Sequence, residues 1–359
     1  MKLHVFNPEH DIALAYNRDR LTMPHAAQEL RMNMGWLPAL WANDGDVVLV
    51  DDVEYAVKAA RNSRVKTADV LFLSREDVRQ FPFDEVRPWG WDSVIATQLL
   101  ESGICNHLIP NKEDIRAIRE LSHRKHTNSV LKTLRNGIEY STCGCSIYTT
   151  SLGEVEEQIK AWHSVVLKAP WSSSGRGIRY VNGCMTENLI GWLRRILHQQ
   201  GGVMIEPYYN KVKDFGMEFM AHKDGTISYS GLSLFKTING AYAGNILATD
   251  SEKKEILKRY LPQKLINTII ERIVQCFPSF IRNAYVGAFG IDMMIVAKDD
   301  GQGFLLHPCV EINLRRTMGH VALALTPADP APHRLMTIEH KTNYKLKISL
   351  LENNYVQTL

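Results

Sequence analysis

Long apolar runs are missing from this chain, and with them any sign of a membrane span. The opening residues, Met-Lys-Leu-His-Val-Phe, read as a strand and lack the profile of a secretory leader, so a cytoplasmic protein with no membrane partner is expected. Cysteine is scarce and badly spaced for a metal. Of Cys105, Cys143, Cys145, Cys184, Cys276 and Cys309, only Cys143 and Cys145 are close, and no second pair completes a zinc site. Free thiols in a reducing compartment are the expectation. An excess of one charge is also lacking: 42 Lys and Arg stand against 39 Asp and Glu, scattered, for a net charge of +3. That balance argues against a nucleic-acid partner. No repeat or low-complexity tract interrupts the 359 residues, a length that allows two or three packed units.

What the chain does have is an alternation of short strands and helices. Leu3 to Phe6, Val47 to Val50 and Val70 to Leu73 read as strands, with helices at Ile12 to Tyr16 and Leu37 to Trp41, the pattern of a parallel α/β sheet. Asn7-Pro8-Glu9-His10-Asp11 crowds polar residues at the end of the first strand. Open α/β sheets bind ligands at that position, and a helix cap by Asn7 or Asp11 would look the same. Pro88 to Asp92 is an aromatic turn, with Asp92 placed to cap a helix from Ser93 to Leu100. Lys112 to Arg135 reads as helical and basic, with His123-Arg124-Lys125-His126 expected on a solvated face. Further on the pattern turns antiparallel. Asp224-Gly225 joins Phe215 to Ala221 with Thr226 to Leu234, and Asp299-Asp300-Gly301 joins Phe289 to Val296 with Phe304 to Ile312. Between these hairpins Glu252 to Cys276 is helical, with a break at Leu261-Pro262.

Two stretches carry chemistry. In the first, Val165-Val166-Leu167 is a buried strand that delivers Lys168 to a fixed place, and Pro170 stops it. The loop beyond suits an anion: Ser172, Ser173 and Ser174 offer hydroxyls, Gly175 and Gly177 let backbone N–H groups approach, and Arg176 adds a charged fork. The lysine precedes the glycines, unlike a P-loop, so the geometry is that of a nucleotide clamped between sheets. Taken alone, the same loop reads equally well as a solvated turn. In the second stretch, period-two alternation puts Glu311 and Asn313 on one face of a strand, and the paired strand can bring Asp292 beside them. Oxygen donors gathered this way fit a hard cation, magnesium or its substitute manganese, with Arg315 and Arg316 following directly; Asp292 taken alone reads better as a carboxylate facing solvent.

Taken in order, Val-Val-Leu-Lys168 with its Ser/Gly loop, Met-Ile-Glu206-Pro-Tyr-Tyr, Gly290-Ile-Asp292 and Val-Glu311-Ile-Asn313-Leu-Arg315 resemble the motifs of the ATP-grasp superfamily. The resemblance covers about residues 121–324. It implies an α/β and α+β architecture: a small parallel-sheet domain over 1–110, a lid subdomain over 111–201, and a large subdomain with the metal site over 202–340. Antiparallel sheets would clamp the nucleotide, and 341–359 would be a tail. It further assigns ATP and magnesium as cofactors. Lys168 matches the strand lysine on the phosphates, Ser172 to Gly177 the phosphate cover, and Glu206 with the backbone at Tyr208 the adenine hinge. Lys125 resembles an earlier nucleotide-binding lysine, and either Asp214 or Glu218 would meet the ribose. Asp292, Glu311 and Asn313 match the magnesium ligands and Arg315 the arginine near the transferred phosphoryl group. Leu314 stands where many members have proline, and the doubled arginine leaves the division of labour with Arg316 open.

The activity so implied is ligation of a carboxylate to an amine, small molecule or peptide, through an acyl phosphate. A kinase on the same scaffold and a non-catalytic nucleotide-binding protein are the alternatives, and a homodimer is left open. Lys236 and the run from Gly240 through Tyr242 to Asn245 could line an acid-binding pocket or form a surface loop.

Overall fold

The computed structural model describes residues 1–172, 177–238, 241–282 and 284–351, arranged as three sheets laid down in chain order. Strands β1 (Lys2–Val5), β2 (Val47–Leu49), β3 (Leu71–Leu73) and β4 (Glu85–Pro88) form a parallel sheet in the order β3-β2-β1-β4. Leu3, Val5, Val47, Val48 and Leu49 are all buried, as apolar strands covered on both faces must be. Helices α1 (His10–Tyr16), α2 (His25–Met34), α3 (Val53–Asn62) and α4 (Ser93–Glu101) surround this sheet. Asp92 caps α4, accepting from Ile95 N at 2.9 Å. Asn7 does not cap α1. Its Nδ2 donates to Gly90 O at 2.8 Å and to Asp92 Oδ2 at 3.1 Å, tying the ends of β1 and β4 together, while Asp11 lies in the first turn of α1.

The single basic helix expected over 112–135 is two, α5 (Lys112–Leu121) and α6 (Thr127–Arg135). The turn between them is no solvated face, because His123 and Arg124 are buried. Next comes an antiparallel sheet of β5 (Ile147–Thr149), β6 (Ser164–Lys168), β7 (Ile178–Asn182) and β8 (Val203–Pro207), in the order β5-β8-β6-β7. Its backing helices are α7 (Leu152–Trp162) and α8 (Glu187–Gln200). Val155 and Ile159, then Leu189, Trp192, Leu193 and Ile196, recur at helical spacing and pack on Val165, Leu167, Val203 and Ile205.

The third sheet holds β9 (Lys211–Ala221), β10 (Ile227–Ile238), β11 (Ala241–Leu247), β12 (Gly287–Ala297), β13 (Phe304–Asn313), β14 (Arg334–His340) and β15 (Tyr344–Leu350). Their order is β13-β12-β9-β10-β11-β14-β15, antiparallel throughout. Helices α9 (Asp250–Lys258), α10 (Gln263–Ile281) and α11 (Met318–Leu325) complete this part. Alternate residues Phe215, Met217 and Phe219 of β9 join Ile266, Ile269, Ile273 and Phe277 of α10 in the largest core, which leaves Asp214, Gly216 and Glu218 on the opposite face.

The segment from 341 onward, expected as a tail, contains β15, paired with β14 from Arg334↔Leu350 to His340↔Tyr344. Its Tyr344, Leu346 and Ile348 pack on the cluster of Trp36, Leu37, Trp89, Val321 and Met336, which joins the first sheet to the third. Among the described residues no helix is long and apolar enough to cross a membrane. All six cysteines are free.

Candidate functional site

A cavity of about 520 Å³ lies between the second and third sheets. Val166 and Lys168 of β6, Glu206 of β8, Asp214 and Glu218 of β9, Asp292 of β12, Glu311 and Asn313 of β13, and Arg315 just after β13 all line it. The structure therefore gathers the residues that the sequence placed in separate motifs.

At one end, antiparallel pairing sets Val166 opposite Glu206 and Lys168 opposite Met204, so Lys168 and Glu206 share a sheet face. Lys168 Nζ lies 2.5 Å from Glu206 Oε2, and both residues are buried. Ser146 Oγ donates to the other carboxylate oxygen at 3.4 Å. Tyr208 and Tyr180 are exposed at the mouth, edge to face with centroids 6.1 Å apart. Of the Ser/Gly loop, Ser173, Ser174, Gly175 and Arg176 lie outside the described residues. The loop's two ends meet. Ala169 N donates to Gly177 O at 2.8 Å, and Gly177 leaves no room for a Cβ beside Ser172, which explains a glycine there.

Lys125 turns away from the cavity, its Nζ 2.5 Å from Glu120 Oε1 near the surface. Its neighbour Arg124 takes the inward place. Arg124 Nη1 donates to Ala169 O at 2.5 Å and to Ser172 Oγ at 2.8 Å, and Nη2 to Glu311 Oε1 at 2.5 Å. It thus ties the base of the loop to the carboxylate cluster. The only sequence signal for it was the basic run itself, read there as solvated.

In the carboxylate cluster, Asp292 stands directly opposite Glu311 and Gly290 opposite Asn313. The register slips between Asp292 and Met294 on the β13 side, where Pro308 cannot donate to the ladder, and this bulge helps set Glu311 facing Asp292. Asn313 Nδ2 donates to Asp292 Oδ2 at 3.2 Å. Burial, then the charge of Glu311, pushes the Asp292 carboxyl well above its usual range. That conflict fits a divalent cation, which would relieve it. Among the described residues no three His, Cys, Asp or Glu side chains are gathered for a metal. The set here is two carboxylates and an amide oxygen, which suits magnesium that takes its remaining ligands from water and phosphate.

The two acids considered for the ribose part company. Asp214 sits near the mouth, accepting from Lys211 Nζ and Thr237 Oγ1, each at 2.6 Å. Glu218 lies deep, accepting from Thr317 Oγ1 at 2.9 Å, with His320 Nδ1 3.1 Å from the same oxygen. Burial, then the charge of Asp292, raises Glu218 to about 8, while burial lowers His320 to about 3. Burial thus disfavours the charged form of both partners in this contact.

Arg315 and Arg316 also separate. Arg315 lines the cavity, and Asp11 accepts from its Nε at 2.9 Å and its Nη2 at 2.8 Å. Arg316 lies over the Trp41 ring at 4.6 Å, on the packing side. Tyr242 and Asn245 line the far end of the cavity, joined by a 2.6 Å hydrogen bond from Tyr242 Oη to Asn245 Oδ1; Gly240 lies outside the described residues. Lys236 occupies the alternate position of β10 between Phe235 and Thr237, which line the cavity.

No family model and no curated protein matches the chain. Among solved structures it is similar to biotin carboxylase from Campylobacter jejuni, described as a β-γ-ATP complex. The TM-score is 0.51 at 13% identity, over 94% of this chain and 75% of that one. It is also similar to N5-carboxyaminoimidazole ribonucleotide synthetase from Thermus thermophilus, with a TM-score of 0.50 at 12% identity, over 94% of this chain and 83% of that one. At such identities the likeness is one of fold.

Proposed function

Because this chain has the ATP-grasp fold, we propose that it is an ATP-dependent ligase joining a carboxylate to an amine. One observation carries the reading: Lys168 and Arg315 line the same cavity as Asp292, Glu311 and Asn313. Two cations lining one cleft with an oxygen-donor set, Lys168 from the second sheet and Arg315 from just beyond β13, suit a triphosphate bound with a divalent ion.

The chemistry follows from the substrates. A carboxylate is a poor acyl donor because its leaving group would be oxide. Transfer of the terminal phosphoryl group of ATP to it gives an acyl phosphate and ADP. Attack by an amine then forms the amide, releasing inorganic phosphate and a proton. Magnesium held by Asp292, Glu311 and the Asn313 oxygen would lower the charge on the phosphates. Lys168 donates to phosphate oxygens from the end of β6, and Arg315 to the group in transfer. Glu206 and the backbone toward Tyr208 take the adenine end, and Asp214, at the mouth, takes the ribose. By its sequence the Ser172 to Gly177 loop covers the phosphates and keeps water from the acyl phosphate. Ser233, Tyr242 and Asn245, beyond the phosphate end, are left for the acid.

Calorimetric titration with Mg-ATP is the first test, and an absence of nucleotide binding ends the reading. Product analysis with panels of acids and amines is the second. Amide and inorganic phosphate in equal amounts are expected, whereas a stable phosphorylated product without amide would make the protein a kinase.

A further inference from the structure

The polar segment at the end of β1 has no part in the reading above, yet one of its residues binds a side chain that lines the cleft. Asp11 grips Arg315 at two points, across the junction of the first and third sheets. Arg315 Nη1 donates to Arg316 O at 3.0 Å. A guanidinium has five N–H bonds, so after these contacts one remains on each terminal nitrogen for an occupant of the cleft. Asp292 and Glu311 also attract Arg315. An untethered guanidinium would settle on those carboxylates, as Arg124 already does on Glu311. Burial is the largest influence on Asp11 and opposes its ionisation, but the charge and hydrogen bonds of Arg315, with the charges of His10 and Arg124, together hold the carboxyl below the usual range.

We propose that Asp11 is a positioning residue: it holds the Arg315 guanidinium off Asp292 and Glu311 and turned toward the terminal phosphate of a nucleoside triphosphate. The first α/β unit thereby completes a phosphate site whose other members belong to the rest of the chain. The inference rests on the nucleotide reading. It separates cleanly from a mere structural tie between units, because a tie would affect diphosphate and triphosphate alike, whereas an aimed arginine affects only the triphosphate.

Calorimetric titrations of ADP and of the non-hydrolysable AMPPNP, both with magnesium, into wild type, Asp11→Asn and Glu29→Gln test it. Glu29 of α2 meets His340 Nε2 of β14 at 3.0 Å, another contact between the same two units, away from the cleft. Asp11→Asn should weaken AMPPNP by about tenfold and ADP by less than about twofold, while Glu29→Gln alters neither. Equal affinities in Asp11→Asn and wild type overturn the proposal. So does an equal loss for both nucleotides, or the same loss in Glu29→Gln. If Asp11→Asn does not fold, Asp11→Glu carries the test with a smaller selective loss, and no loss there is equally fatal. Wild type binding neither nucleotide would instead remove the underlying reading.

Discussion

Gly319, in the first turn of α11, leaves no room for a side chain beside Glu218: a Cβ there would overlap Glu218 Oε1 and lie 2.5 Å from Ser233 Oγ. Gly290 of β12 crowds the same carboxyl, its Cβ position 2.5 Å from Glu218 Oε2. Two glycines from different elements thus clear the space this acid occupies.

Gly319→Ala is therefore expected to destabilise the protein. Helix propensity alone would favour alanine by about 1 kcal/mol, but overlap with a fixed carboxyl costs more, leaving a net loss of about 1–2 kcal/mol. Urea unfolding measures it. Adding Glu218→Ala should return part of the loss, and an additive double variant would mean that Glu218 is not the obstacle.

Lys168 and Glu206 form a buried pair, so Lys168→Ala leaves a buried carboxylate whose remaining hydrogen bond among the described residues is from Ser146. A loss of about 3–5 kcal/mol is expected. The double variant Lys168→Met with Glu206→Gln removes both charges and should recover most of that stability without recovering nucleotide affinity. Recovery of both would reduce Lys168 to a structural residue.

Glu311→Gln keeps an acceptor for Arg124 while removing one charge from the cluster. Stability should change by less than about 1 kcal/mol, since weakening the contact to buried Arg124 is offset by relief of the repulsion between Glu311 and Asp292. The gain in nucleotide affinity that magnesium gives to wild type should vanish. An undiminished magnesium effect would remove Glu311 from the metal site.

His307 is buried with neither ring nitrogen hydrogen-bonded among the described residues. Burial, then the charges of Lys168 and Arg135, lowers it to about 3, while the unfolded chain keeps the ordinary value of 6.5. As pH falls below about 6.5 the unfolded state takes up the proton first, so stability declines by roughly 1.4 kcal/mol per unit down to about 3. His123, lowered to about 4 chiefly by burial, adds to the decline. Urea midpoints from pH 7.5 to 4.5 should fall less steeply in His307→Leu than in wild type, and parallel profiles would show that His307 titrates freely when folded.

Much of the site was legible because its signals are local. Lys168 ends an apolar strand, Glu206 another, and alternation set Glu311 and Asn313 on one face; adjacent-strand pairing then brought them together. Arg124 was missed because a buried cation looks like any other in a basic run. Only its contacts to Ala169, Ser172 and Glu311 distinguish it from Lys125. The strand β15 was missed although Tyr344, Leu346 and Ile348 alternate with Lys345 and Lys347, a short edge pattern that the chain's end obscured.

By itself the sequence determined the ordered motifs, the hairpins and the face each acid would take, since strand periodicity and turn chemistry act over a few residues. Only the tertiary structure decided that Arg124 meets Glu311 across 187 positions and that Asp11 holds Arg315 across 304. Such pairings depend on how whole sheets pack, and side-chain charge at one end of the chain carries no record of its partner at the other.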